Sequence, residues 1–322
     1  MALIGGGDHG LRALATAVSR VPGYVLAAVA DPDAAARARA SALLPRATVV
    51  ADHAELRGIM RPGDLVVVAT PPAVSAGVAA AWMDAPVAIL LEKPGAVAPV
   101  ELSPLLVSRS HPIACAYSYR FHPTVLAFRD ALPACGTLER LDLTFTAPIN
   151  VRGTWRASRD AGGGSLRDLG THLLDLAALL TGAPLVVKHG TRSSHRTHDD
   201  EVRVVLRAGE VIMALRTGYV GAPVFRLAAR GSRGTLVADL WSMTTPAQSA
   251  PGRLWSSITT RLPGSRRPAE GLLRSRLAML AAVAPSPAAL TGATGPNAMR
   301  PASMADAVTV LHLVELIERA TA

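Results

Sequence analysis

Asp168 and His172 stand four residues apart in the run Gly162-Gly163-Gly164-Ser165-Leu166-Arg167-Asp168-Leu169-Gly170-Thr171-His172-Leu173-Leu174-Asp175. From about Ser165 the run reads as a helix continuing to Leu180, which stacks the carboxylate and the imidazole on one face. Asp175 follows three residues after His172. A carboxylate beside an imidazole fixes its tautomer and raises its basicity, as a general base for a hydroxyl proton needs. A capped helix with a satisfied surface histidine would carry the same letters. His195 and His198 have the spacing of a metal pair, but no third ligand accompanies them. That stretch reads as loop, and no metal site is expected.

Lys93 is a second candidate. Of 33 basic residues only Lys93 and Lys188 are lysines. Lysine, unlike arginine, can lose its proton when buried. Lys93 sits in Glu92-Lys93-Pro94, just after an apolar strand-like run, Val87 to Leu91. A cation there can polarise a substrate oxygen or move its proton. A surface lysine in a turn is the plain alternative.

The segment Gly5-Gly6-Gly7-Asp8-His9-Gly10 fits G-x-G-x-x-G between a strand and a helix. The first glycine allows a tight turn and the second lets a pyrophosphate approach the backbone. The third lets the helix pack close, and the phosphates sit at its N-terminus. Gly5, Gly7, Asp8, His9 and Gly10 are therefore candidate cofactor residues. Asp31 follows Gly10 by 21 residues at the end of the second strand, placed for ribose hydroxyls. Asp31 and Asp33 repel a 2′-phosphate, which favours NAD, while nearby Arg37 and Arg39 leave NADP open. Thr70 and Pro71 end the fourth strand at the sheet edge where ligands bind, and Glu92 ends the fifth.

These residues need a scaffold. Strand-like runs at Ala2–Ile4, Tyr24–Ala30, Ala47–Ala51, Asp64–Ala69 and Val87–Leu91 alternate with helical runs at Leu11–Val21, Asp33–Leu44, Ala54–Met60 and Ala73–Asp84. That alternation implies a doubly wound parallel sheet of Rossmann type. The first strand is unusually short, or the chain starts upstream of Met1. After Cys115 strands follow one another: Leu138–Thr146, Val202–Leu206, Val211–Thr217, Phe225–Ala229 and Thr235–Leu240. This implies an α+β domain with an open, mainly antiparallel sheet. The expected division is residues 1–115 and 116–322. Trp241–Gly271 and Pro285–Pro301 read as loops, and Ser303–Ala320 as a closing helix.

Composition narrows the function. A chain of 322 residues exceeds one core. No apolar run is long enough to span a membrane, and no signal-peptide pattern opens the chain. Two cysteines without CxxC spacing suit a reducing cytosol, so a cytoplasmic location is expected. The net charge of +9 lies wholly after residue 115, where 24 basic residues face 15 acidic ones. Such a half could attract nucleic acid or an anionic small molecule, or be no more than a solvated arginine-rich surface. Twelve aromatic residues are too few for stacking platforms, which argues against nucleic acid.

Taken together, the motifs resemble the glucose–fructose oxidoreductase/inositol dehydrogenase (Gfo/Idh/MocA) family. They are Gly5–Gly10, Asp31, Thr70-Pro71-Pro72, Glu92-Lys93-Pro94, Tyr119-Arg120-Phe121-His122-Pro123, Trp155-Arg156, Ala161-Gly162-Gly163-Gly164 and Asp168-x-Gly170-x-His172-x-x-Asp175. The resemblance implies an NAD- or NADP-dependent enzyme. It would move hydride at a carbinol or ketone carbon of a sugar, sugar nucleotide or cyclitol. Lys93, Asp168 and His172 become the catalytic group, and Arg120, Trp155, Arg156 and Asp175 substrate residues. Homodimers or homotetramers through the open sheet face are implied as well. Two positions depart from the pattern: Ser75 where the family often has His, and Tyr119 where it often has Asn. A non-catalytic NAD-binding sensor or scaffold, and a lyase or hydrolase using NAD transiently, are the rival readings.

Overall fold

The structure is a computed structural model that describes residues 1–7, 9–18, 20–21, 23–242, 247–249, 268–283 and 299–321. Asp8 lies outside the described residues, as does most of the loop expected over Trp241–Gly271 and Pro285–Pro301. Two compact units emerge: Met1–Ser118 with Arg276–Val308, and Tyr119–Ser275 with Thr309–Ala322. The expectation placed everything after residue 115 in the second unit. The structure returns Arg276–Val308 to the first.

The first unit is built on six parallel strands: β1 (Ala2–Ile4), β2 (Ala28–Ala30), β3 (Thr48–Val50), β4 (Leu65–Val68), β5 (Ala88–Leu91) and β6 (Ile113–Cys115). Their order is β3-β2-β1-β4-β5-β6, so the winding reverses between β1 and β4. Ligands of such sheets bind at the carboxyl ends of strands near that reversal. β4 and β5 are buried throughout, which is why their sequences, Leu-Val-Val-Val and Ala-Ile-Leu-Leu, show no alternation. Helical residues His9–Ala15 continue into α1 (Thr16–Val18), and α2 (Ala34–Leu43) and α3 (Pro72–Ala80) follow β2 and β4. The Asp33 side chain caps α2 by accepting from the N–H groups of Ala35 and Ala36.

Two differences have local causes. The strand expected from Tyr24 pairs only from Ala28, because β1 offers three residues to pair with. β6 is equally short and no periodicity reveals it. Its Cys115 N–H donates to the Ala302 carbonyl at 2.8 Å, so the returning segment covers the sheet edge.

The second unit carries seven strands: β7 (Leu138–Thr146), β8 (Leu185–Ser193), β9 (Glu201–Ala208), β10 (Val211–Gly218), β11 (Val224–Gly231), β12 (Gly234–Asp239) and β13 (Ala247–Ser249). Their order is β13-β12-β11-β7-β10-β9-β8, antiparallel except for β7 with β10. Burial alternates along them. Leu141, Leu143 and Phe145 of β7, and Met213, Leu215 and Thr217 of β10, form one buried face. On that face lie α4 (Pro123–Ala131), packed on β12, and α5 (Thr171–Thr181), packed on β7. Sequence reading missed α4 and β8: α4 is a single nine-residue stretch opened by a proline, and β8 mixes half-buried and exposed residues without strict alternation. α6 (Pro268–Val283) and α7 (Met304–Ala320) complete the chain. Among the described residues no helix is long and apolar enough to cross a membrane.

Candidate active site

In the second unit, Gly162 to Asp175 form one buried segment. It does not start as the simple helix expected from Ser165. Leu166–Gly170 are wound more widely, in π-helical form, before α5 begins at Thr171. Such widened turns are frequent at functional sites. Gly163 is forced by close approach, since a Cβ there would meet the backbone of Trp155 and Arg156.

Asp168 is 3% exposed at its side chain. Its Oδ2 accepts from Arg156 Nε at 2.7 Å and from the Tyr219 hydroxyl at 3.2 Å. The same hydroxyl lies 2.9 Å from the Gly164 carbonyl, its second acceptor. Burial, and then the charge of Asp168, push the Tyr219 hydroxyl well above its ordinary range, so it acts as a neutral donor. Arg156, expected at a substrate wall, therefore points one nitrogen at Asp168. Its guanidinium also lies over the Trp155 ring, 4.6 Å from the ring centre. Tyr219 was not foreseen. It stands just beyond β10, and nothing in sequence separates it from any other strand-end tyrosine.

His172 sits on α5 in an aromatic setting. Tyr119 meets its ring edge-on at 4.7 Å, and Phe145 lies at 6.3 Å. Phe145 and Phe225 face each other across β7 and β11 and stack at 4.1 Å. The ring of Tyr119 thus packs against the imidazole.

Arg120 and Asp175, also expected to contact substrate, bond each other in the interior. Arg120 Nε reaches both carboxylate oxygens at 2.9 and 3.0 Å, and Nη2 reaches Oδ1 at 2.5 Å. The side chains are 4% and 1% exposed. This fork ties the segment before α4 to the middle of α5, three residues from His172. His122 caps α4 by accepting from the Thr124 N–H through Nδ1, and burial pushes it down to about 4, so it stays neutral.

In the first unit the glycine turn is tightly specified. Gly5 has φ +105°, and a Cβ on it would lie 2.5 Å from the Ala69 carbonyl oxygen. Only glycine fits there. Among the described residues a Cβ at Gly7 would meet nothing within 4 Å, which leaves room for a pyrophosphate to approach the backbone. The Gly6 N–H donates to Asp31 Oδ2 at 2.6 Å, and the Asp33 N–H to Oδ1 at 2.8 Å. Arg37 binds the carbonyls of Asp31 and Pro32. Thr70 shares a hydroxyl–hydroxyl bond with Ser75, which also donates to the Thr70 and Pro71 carbonyls. Ser75 therefore braces the turn after β4.

At the end of β5, Glu92 accepts from the Lys93 N–H and pairs with His9 at 3.2 Å. Burial opposes its charge, but His9, Lys93 and Arg276 outweigh that and hold Glu92 below its ordinary value. The structure thus brings His9, Glu92 and Lys93 together at one edge of the sheet. Among the described residues no cluster of His, Cys, Asp and Glu is arranged to hold a metal.

Residues 1–107 match a family model described as an oxidoreductase family, NAD-binding Rossmann fold. Residues 133–237 match the model of the GFO/IDH/MocA C-terminal domain. A protein of Amycolatopsis mediterranei (strain S699) named "Putative UDP-kanosamine synthase oxidoreductase subunit" is 32% identical over 222 residues. That stretch is 67% of this chain and 58% of the relative. In fold, the chain resembles KijD10, a 3-ketoreductase from Actinomadura kijaniata solved with NADP and TDP-benzene. The TM-score is 0.80 at 21% identity, covering 99% of this chain and 97% of that one. It also resembles a levoglucosan dehydrogenase solved with NADH and levoglucosan, with a TM-score of 0.81 at 19% identity, covering 99% and 96%.

The Arg120–Asp175 pair gives a direct test of what braces α5. Arg120→Met strands a buried carboxylate and should lower unfolding free energy by about 3–5 kcal/mol in urea titrations. Adding Asp175→Leu should recover most of that loss. A double variant as unstable as the single one would show that the pair is not the brace.

Proposed function

The chain belongs to the Gfo/Idh/MocA oxidoreductase family, and from that premise we propose that it moves hydride between NAD and a carbinol or ketone carbon of a sugar or sugar nucleotide. The observation that carries this reading is Asp168, buried yet supplied with two donors, one helical turn before His172. The residues of the glycine turn fit a dinucleotide: Gly7 leaves its backbone open and Asp31 stands beside Gly6 at the end of β2. Gly5, Gly7, Gly10, Thr70 and Pro71 would line the cofactor, with His9 and Glu92 towards its reactive end. Asp31 favours a free ribose over a 2′-phosphate, although Arg37 on the same turn leaves room for NADP.

When bound, the nicotinamide supplies the hydride acceptor or donor. The chain's own residues handle the proton and the oxygen. His172 takes the hydroxyl proton in oxidation and returns it in reduction. Asp168, held by Arg156 and Tyr219, is the acid expected to orient His172. Lys93 polarises the reacting oxygen. Trp155 and the exposed part of Arg156 line the substrate, while Arg120 and Asp175 act behind it as braces. A nucleotide-linked sugar suits the basic second half of the chain. The name of the Amycolatopsis relative and the TDP-benzene bound to KijD10 support the nucleotide, and the levoglucosan of the other solved protein supports the sugar alone.

Two free, buried thiols, Cys115 and Cys135, support a cytoplasmic location. We also propose a homodimer or homotetramer. The half-exposed face of the second sheet, with Arg140, Asp142, Thr144, His189, Arg203 and Arg216 around a depression of about 410 Å³, would be the contact.

A screen of sugars and nucleotide sugars with NAD and NADP, followed by absorbance of the reduced cofactor, tests the activity. Lys93→Met and His172→Asn should each lower kcat by about 10²–10⁴ with NADH binding retained. Cofactor binding without turnover of any substrate would leave a binding protein, unchanged turnover in both variants would overturn the roles given to Lys93 and His172, and activity without net NADH would leave a lyase or hydrolase. For an anionic substrate KM should rise steeply with salt, and a flat response would exclude it. Sedimentation velocity should give a species of twice or four times the chain mass, and a monomer at all concentrations would refute the assembly.

A further inference from the structure

Asp199 and His198, in the loop between β8 and β9, take no part in the proposed chemistry, yet they touch its framework. Asp199 is 1% exposed. Its carboxylate accepts from the Ser165 N–H and, at 3.3 Å, from the Leu166 N–H. These two groups open the turn that bears Asp168, and helix-opening N–H groups need acceptors from elsewhere. Gly164 lies against the same two side chains. Its φ is +103°, and a Cβ there would collide with Asp199 Oδ1 and with the His198 ring. His198 Nε2 is 3.6 Å from Asp199 Oδ2, and neither ring nitrogen has a hydrogen-bond partner.

We propose that Asp199, with the His198 ring against it, acts as a titrating positioning pair for Gly164–His172, Asp199 being the group that gains and loses the proton. The proposal deepens the reading of Asp168 and His172 given above and rests on it. With the proton present, Asp199 accepts from Ser165 through one oxygen and donates towards neutral His198 through the other. With it gone, a full carboxylate grips both N–H groups as a charged acceptor, which strengthens the bonds. The two states hold the start of the catalytic segment with different force.

The surroundings favour this exchange near neutrality. Burial pushes Asp199 up to about 7 and pushes His198 below its ordinary value, so just below that point Asp199 carries its proton beside a neutral imidazole. Glu318 of α7 raises Asp199, and Arg192 of β8 lowers it. Arg159 and Arg167 also face the ring and hold it down. Burial opposes ionisation of Glu318, but Arg167 overcomes this through bonds of 2.8 and 3.0 Å, so Glu318 stays charged. An acid with a raised folded value binds its proton more tightly when folded. Its burial therefore costs stability increasingly as pH rises from about 4 to about 7.

The test uses the full chain labelled with ¹⁵N and ¹³C, titrated from about pH 5 to about pH 9. The Ser165 and Leu166 amide shifts and the His172 ring Cε1–H should share an inflection near 7. Asp199→Asn should abolish it at all three, and His198→Gln should lower its midpoint. Flat amides, or an inflection that survives Asp199→Asn, would overturn the proposal. Should that variant fail to fold, the wild-type titration and His198→Gln still decide. Where it folds, its thermal midpoint should gain on the wild type as pH rises between about 4 and 7. A constant gap would count against the pair. None of these readouts needs turnover: an inert protein with the full titration fails only as an enzyme, and an active one with flat amides fails only here.

Discussion

A carboxylate cannot be taken out of water without donors to replace the water, and Asp168 is buried. The surrounding structure answers that demand. Arg156 reaches it from the turn Trp155–Ala157, and Tyr219 reaches it from the end of β10. Tyr219 also binds the Gly164 carbonyl, so one hydroxyl fixes both the acid and the turn that presents it. Behind these, Asp199 holds the amides of Ser165 and Leu166, and Glu318 holds Arg167. Each contact comes from a different part of the chain. The seven-stranded sheet matters because it brings those parts to one place.

The same economy governs the other charges. Arg120 and Asp175 neutralise each other where neither could be buried alone, and their fork fixes α5 along its length. In the first unit, Asp31 spends its oxygens on the N–H groups of Gly6 and Asp33. The acid expected to bind ribose thus shapes the glycine turn. Glu92 is charged because His9 and Lys93 stand beside it, which makes the edge of β5 a cluster of mixed charge rather than a lone cation.

Much of this was legible in the letters. The parallel sheet follows from apolar runs alternating with helical ones, and the second sheet from consecutive strands of period two. Gly5 could be picked out because its tight turn demands a residue type. What stayed hidden was of two kinds. β6 was too short for a period and was fixed by pairing to its neighbours, and β8 carried too irregular a pattern. Tyr219, Asp199 and Glu318 lie 51, 31 and 150 residues from Asp168, and nothing local distinguishes them.

The sequence by itself determined which groups could do chemistry: the imidazole, the acid one turn before it, the lysine after β5 and the glycine turn. Spacing along one element carries that information, because i and i+4 share a helix face wherever the helix goes. Only the tertiary structure decided the state of those groups. What Asp168 is bonded to, whether Arg120 and Arg156 face substrate or an acid, and what holds the first turn of the segment depend on burial and on partners far along the chain. Desolvation and pairing are properties of a place in the fold, and the one-dimensional pattern does not record places.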